Sequence, residues 1–209
     1  MTLDALALQH RTDKGSSGHN YCEIYERYLE HLRDVNIKLL ELGVGGYQYK
    51  DRGGESLRMW HDYFSQARIV AVDVYDKNDL GLDRVEVYKG SQDDPKFLTK
   101  LIQDIGQPDV IVDDASHVCK LTIASFEILF PLLKAGGLYI CEDIHTSFWL
   151  QDYGGDPDPK GKGTTIQFFQ ELTAQLSFDT LVEEYRRPAY AGQIEFIHFY
   201  RNLVIVKKR

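Results

Sequence analysis

The sequence is poor in cysteine, with Cys22, Cys119 and Cys141 as its full complement. An odd number without paired spacing excludes a disulfide framework and a cysteine metal motif, and points to reduced thiols of a cytosolic protein. Long apolar runs are missing as well. No segment reaches the length needed to cross a bilayer, and the start, MTLDALALQHRTDKG, carries Asp4 and only a short apolar patch, unlike a secretory signal. Positive charge is in deficit: 24 Lys and Arg against 32 Asp and Glu give a formal net charge of -8. That balance excludes nucleic acid and anionic membrane as natural partners and leaves small neutral substrates and metals. Internal repeats and low-complexity tracts are absent. The expectation is a soluble, cytoplasmic protein.

What is present is enough chain for one domain spanning 1–209, with 43% hydrophobic residues to build its core. An N-terminal helical segment, 1–35, contains NYCEIYERYLEHLR at 20–33, where Tyr21, Ile24, Tyr25, Tyr28, Leu29 and Leu32 fall at helical spacing. Apolar strands then alternate with helical patterns. The strands are IKLLEL from 37, ARIVAVDVY at 67–75, RVEVYKG at 84–90, DVIVDD from 109 and LYICED from 138; the helices between them cover 55–65, 94–106 and 121–137. A helix over 164–176 follows, and IEFIHFYRNLVIVKKR closes the chain as two strands turning near Arg201 and Asn202. This order predicts an α/β fold: a Rossmann-like, doubly wound, seven-stranded sheet, mostly parallel, with a C-terminal antiparallel hairpin. Residues 146–163, rich in Gly, Pro, Asp and aromatics, are too long for an ordinary connector and read as a lid loop.

The first strand ends in ELGVGGY, and the next ends at Asp73, 30 residues after Gly43. In a doubly wound sheet ligands bind beyond such strand ends. Gly43 and Gly45 allow close approach of the backbone, and Asp73 is placed to accept hydrogen bonds from the two hydroxyls of a ribose. A nucleoside-containing cofactor follows. The dinucleotide fingerprint wants glycine where Gln48 stands, which disfavours a pyrophosphate and with it a nucleotide-dependent reductase.

These motifs join others: TDKG with His19 and Tyr21, GGESLRMW, GSQDDPKFL, IVDDASH, ASFEILFPLLKAGGLYICED, TSFW and IHFYRNLVIVKK. Together they cover most of the chain. The set resembles the class I S-adenosylmethionine-dependent methyltransferases, and within them the metal-dependent sugar O-methyltransferases of the macrocin and mycinamicin type. Larger members of that group carry an additional N-terminal domain or arm that this sequence does not show. The resemblance implies S-adenosylmethionine as cofactor. It implies that Glu41, Gly43 and Gly45 line the methionine end, Ser56 caps it, and Asp73 holds the ribose. Ser91, Gln92 and Asp93 would surround the adenine, Asp113 would meet the cofactor's amino group, and Thr12, Lys14 and Tyr21 would close over it.

Two acid pairs, Asp113–Asp114 and Glu142–Asp143, end the fourth and fifth strands, which are neighbours in the methyltransferase sheet. Carboxylates that close repel one another unless a cation lies between them. Oxygen ligands suit Mg2+ better than zinc, so Asp114, Glu142 and Asp143 are the expected metal ligands. Acid pairs at strand ends also cap helices or face solvent; two in register, each after a buried run, favour the shared cation. His117, three residues past Asp114, is the expected general base, although a lone histidine is also a common packing residue. His145 is either a substrate contact or a lid residue facing solvent.

The expected activity is Mg2+-dependent methylation of a sugar hydroxyl on a glycoside, an oligosaccharide or a sugar-bearing natural product. Its partner is a small-molecule or oligosaccharide acceptor, and homo-oligomerisation stays open. Alternatives are a catechol-like diol as acceptor, since two oxygens chelate a metal equally well there, and a non-catalytic cofactor- or sugar-binding protein of the same fold.

Overall fold

The computed structural model describes the backbone of residues 1–209 and every side chain except that of Pro188. The chain divides into two compact units, Met1–Ser91 and Gln92–Arg209.

In the first unit, α1 (Leu3–His10) and α2 (Cys22–Leu29) precede β1 (Lys38–Leu42), α3 (Glu55–Tyr63), β2 (Arg68–Asp73) and β3 (Val85–Lys89). Helix α1 starts where the Thr2 hydroxyl accepts from Ala5 N at 3.2 Å, and it stops at Arg11 in the left-handed region, φ 60°. The three strands pair in parallel, with Leu40 opposite Val70 and Val70 opposite Glu86. Residues 39–42 of β1 and 69–73 of β2 are buried without alternation, as a parallel strand covered on both faces requires. Trp60 of α3 meets the edge of Tyr25 of α2 at 5.1 Å, so the helices share an aromatic contact.

The second unit contains α4 (Pro95–Ile105), β4 (Val110–Asp113), α5 (Cys119–Leu129), β5 (Leu138–Cys141), α6 (Thr165–Leu172), β6 (Ile194–Tyr200) and β7 (Leu203–Lys208). Asp94 caps α4, its carboxylate accepting from Lys96 N and Phe97 N, both at 3.0 Å. Strand β4 runs parallel to β5 with Asp113 opposite Cys141, whereas β7 lies antiparallel to β5 and β6 antiparallel to β7. The hairpin turns at Asn202, φ 61°. Phe126 of α5 is the hub of the interior, meeting the rings of Phe130, Tyr139, Phe168 and Phe169 at 4.9–5.5 Å.

The strand order is β3-β2-β1-β4-β5-β7-β6, a seven-stranded sheet in which only the C-terminal hairpin departs from parallel pairing, as the sequence predicts. Helices α3 and α4 stop within two residues of their expected ends, whereas α5 and α6 stop well short of theirs. Helix α5 gives way to a 3-10 turn at Phe130–Leu132, because Pro131 cannot donate into an α-helical ladder and its ring clashes with the preceding turn. Helix α6 tightens after Leu172, where the Thr173 hydroxyl donates to Gln170 O at 2.6 Å and competes with the backbone ladder. Among the described residues no helix is long and apolar enough to cross a membrane, and the three cysteines are buried free thiols.

Candidate functional site

Within the first unit the turn after β1 is held from two sides. Gly43 N donates to Val72 O at 2.8 Å, and Val44 N donates to Oδ2 of Asp73 at 3.0 Å. The other carboxylate oxygen of Asp73 accepts from Tyr75 N at 2.8 Å, so both oxygens are oriented by main-chain donors before any ligand arrives. Gly45 takes φ 79°, and a Cβ on Gly53 would lie 2.5 Å from both Val44 O and Gly45 O; the loop closes only because these positions lack side chains. Lys77 finishes the closure. Its ammonium donates to Gly45 O at 2.5 Å and Tyr49 O at 3.2 Å, reaches Arg52 O at 3.5 Å, and donates also to Tyr47 O.

Glu41 is buried one residue before the end of β1, with the Lys14 ammonium 3.6 Å from its Oε1. Lys14 is itself fully buried, its carbonyl accepting from Tyr21 N at 2.8 Å. Thr12, Lys14, Tyr21 and Glu41 are thus gathered in the interior of this unit, with Tyr21 stacked on His19 at 5.2 Å. Ser56 sits in the first turn of α3 behind the glycine loop. Ser91, past the end of β3, is half-buried.

In the second unit each acid pair divides. One member of each is buried, Asp113 and Glu142; the other, Asp114 and Asp143, is half-buried. Asp113 turns inward: Tyr139 donates to its Oδ2 at 2.7 Å, Ser125 donates to the same oxygen, and Gln92 Nε2 approaches Oδ1 at 3.4 Å. Burial pushes the Asp113 carboxyl up to about 6, against the opposing pull of the Ser125 and Tyr139 hydroxyls. Gln92 also accepts from Ser116 N at 3.1 Å, so it braces the loop leaving β4, while the next residue, Asp93, is exposed.

Asp114 and Asp143 converge with His117. Nε2 of His117 lies 3.6 Å from Oδ1 of Asp114 and 3.8 Å from Oδ2 of Asp143. One ligating atom from each residue fits within 4.8 Å of the other two. The cluster therefore contains two of the three expected metal ligands together with the expected base; Glu142 stands next to Asp143 in the chain but outside the trio. His145 Nδ1 is 3.9 Å from Oδ1 of Asp143, and its ring meets Trp149 edge-on at 4.9 Å, with Tyr153 continuing the aromatic row at 5.3 Å. Beyond the short 3-10 turn Ile144–Phe148, residues 149–163 carry neither helix nor strand, and Trp149 and Leu150 are exposed.

Sequence reasoning does not find Ser125, Tyr139 or Lys77. Only Tyr139 leaves a signal, since a tyrosine hydroxyl in a buried strand needs a partner. The others act through long-range contacts.

No family model matches the chain. Curated relatives do. The chain is 37% identical, over 99% of its own length, to the 8-demethyl-8-(2-methoxy-alpha-L-rhamnosyl)-tetracenomycin-C 3'-O-methyltransferase of Streptomyces olivaceus. It is 36% identical, again over 99%, to the demethylmacrocin O-methyltransferase of Streptomyces fradiae. The solved structure of the MycE methyltransferase from the mycinamycin biosynthetic pathway, in complex with Mg, SAH and mycinamycin VI, superimposes on the whole chain with a TM-score of 0.91 at 31% identity. The chain spans about half the length of each: 53% of the two relatives and 54% of the MycE chain.

Proposed function

Because the chain resembles macrocin- and mycinamicin-type sugar O-methyltransferases along almost its full length, we propose that it transfers a methyl group from S-adenosylmethionine to a sugar hydroxyl of a glycosylated small molecule. The observation that carries the reading is the convergence of Asp114, His117 and Asp143 within 4.8 Å. Two carboxylates beside one imidazole suit a hard divalent cation with a base next to it. Asp114 and Asp143 supply the first oxygens for Mg2+, and Glu142 is the proposed third. When bound, the ion supplies a Lewis acid for the acceptor hydroxyl, and S-adenosylmethionine supplies a methyl group on a sulfonium.

The chain's own residues do the rest. Nε2 of His117 takes the hydroxyl proton as the acceptor oxygen bonds to the methyl carbon and the carbon–sulfur bond breaks, with the electron pair left on sulfur. Asp114 and Asp143 keep that ring oriented and stabilise the imidazolium once it is protonated. In the first unit, Asp73 would accept from the ribose hydroxyls, while Gly43, Gly45, Glu41 and Ser56 would hold the methionine end. Residues 149–163, with exposed Trp149, form the cover over the acceptor. A cytoplasmic location fits the three free thiols.

The direct test offers S-adenosylmethionine, Mg2+ and a panel of rhamnosylated, olivosylated and simple phenolic acceptors, reading products by mass spectrometry. Addition of one methyl to a glycosylated acceptor and none to its aglycone is the expected result. Methylation of the phenols alone would transfer the reading to the catechol-like alternative.

A further inference from the structure

His117 and Asp143 share an uncommon backbone. Both are non-glycine residues with positive φ, 55° and 51°, a region that L side chains enter when surrounding contacts hold them there. Each lies where the chain changes direction after a strand, and their side chains meet at 3.8 Å in the cluster. The same side chain touches the main chain of both. Oγ1 of Thr146 donates to His117 O at 2.9 Å and, as the second branch of a shared hydrogen bond, to Asp143 O at 3.1 Å. Asp143 O also accepts from Thr146 N at 3.2 Å, which fixes the threonine backbone relative to that carbonyl.

Thr146 is only 3% exposed, so its hydroxyl has these two carbonyls rather than bulk water as partners. Its β-branch restricts χ1 and holds the oxygen between the two carbonyls. Ser147, the next residue, is also buried, but its hydroxyl accepts from Ile166 N at 3.0 Å and braces α6 instead.

We infer that Thr146 is a positioning residue for the metal and base cluster: one buried hydroxyl ties the His117 and Asp143 backbones together and thereby sets the separation of the imidazole and the carboxylate. The inference rests on the reading of Asp114, His117 and Asp143 as the cation and base site. Groups that orient ligands from behind usually alter metal affinity or turnover by roughly 10–100-fold when removed.

The test compares Thr146→Val, Thr146→Ser and Ser147→Ala with the unaltered protein, measuring Mn2+ binding by calorimetry, Mg2+ for half-maximal rate, kcat and Tm. Thr146→Val is expected to weaken Mn2+ binding and lower kcat by roughly tenfold each. Thr146→Ser, which keeps the oxygen, should restore both to within about threefold. Ser147→Ala should lower Tm by as much as Thr146→Val while leaving Mn2+ affinity unchanged. Wild-type Mn2+ affinity in Thr146→Val, or equal loss in Ser147→Ala, overturns the positioning role. Absence of Mn2+ binding by the unaltered protein overturns the site reading itself, and so separates the two failures.

Discussion

The Asp73 carboxylate and the Val44 amide, 29 residues apart, form a hydrogen bond of 3.0 Å across the turn that follows β1. The acid that ends β2 is therefore part of the glycine turn as well as the proposed ribose acceptor. Its second oxygen is aligned by Tyr75 N, leaving lone pairs on both atoms for a ligand. Asp73→Ala should weaken S-adenosylmethionine binding by about 2 kcal/mol, the scale of lost charge-assisted hydrogen bonds. Asp73→Asn keeps an acceptor for Val44 N and should lose less. Calorimetric titration of both variants checks this, and equal affinity in all three proteins would remove the ribose from this carboxylate.

Lys77 gathers carbonyls from Gly45, Tyr47, Tyr49 and Arg52 onto one ammonium. Four carbonyl dipoles pointing at one place repel one another without the cation. Lys77→Met preserves the stem and removes the charge. It should loosen the loop and weaken cofactor binding by roughly tenfold, about 1.4 kcal/mol, with little change in the Mg2+ requirement. Amide exchange over residues 45–52 should accelerate in the same variant; unchanged exchange would show that the loop stands without the lysine.

Asp113 has a folded-state pKa raised to about 6 from 3.8, primarily by burial. Between these values the folded state holds more protons than the unfolded one, so the group's contribution to stability is fully present below about pH 4 and is lost as pH rises through about 6. Asp113→Asn removes this titration. Denaturant unfolding of the metal-free protein should show the wild type losing stability relative to Asp113→Asn between pH 4 and 7, by on the order of 2 kcal/mol. Parallel pH profiles for the two proteins would mean that the carboxyl stays ionised, supported by Ser125 and Tyr139.

Much of this architecture is legible in the sequence because it is local. Unbroken apolar runs mark β1, β2, β4 and β5, and Asp73 stands out as the acid that closes the apolar run of β2. Convergence of the two acid pairs is legible too, once the strands are neighbours. Which of Glu142 and Asp143 enters the cluster is not, since successive residues of an extended chain point to opposite faces and a shift of one exchanges their roles; the division between Asp113 and Asp114 follows from the family resemblance. Asp113 faces Ser125 and Tyr139 while Asp114 approaches His117. The early end of α5 was readable from Pro131. The shared hydrogen bond from Thr146 was not, because it depends on two left-handed residues 26 positions apart that only the folded backbone brings together.

Residues 149–163 lack regular structure, yet their beginning is anchored. Gly155 N donates to Trp149 O at 3.0 Å, Asp156 N to Ser147 O at 2.8 Å, and Cys119 N to Tyr153 O at 2.9 Å. Closure over an acceptor should therefore pivot beyond these bonds. Hydrogen exchange across 157–163 is expected to slow when S-adenosylhomocysteine and a glycosylated acceptor are both present, with smaller change nearer Ser147. Equal exchange in free and bound protein would assign the segment a static role.

The proposed metal ligands and the proposed base are separable by experiment although their side chains nearly touch. His117 Nε2 lies 3.6 Å from Asp114 and 3.8 Å from Asp143, close enough for the ring to be either a neighbour of the cation or one of its ligands. The two roles predict different losses. As a base, His117 should be replaceable by alanine with nearly unchanged Mn2+ affinity and a fall in kcat of roughly a hundredfold or more. As a ligand, the same substitution should weaken Mn2+ binding first, with rate recovered by excess metal. Asp114→Asn supplies the contrast, raising the Mg2+ needed for half-maximal rate because a carboxylate oxygen is lost from a hard-cation site. EDTA should abolish methyl transfer in the unaltered protein and Mg2+ should restore it. Turnover that persists both in EDTA and in His117→Ala would leave the cluster a structural ion-pair network, and would require the acceptor proton to leave by another route.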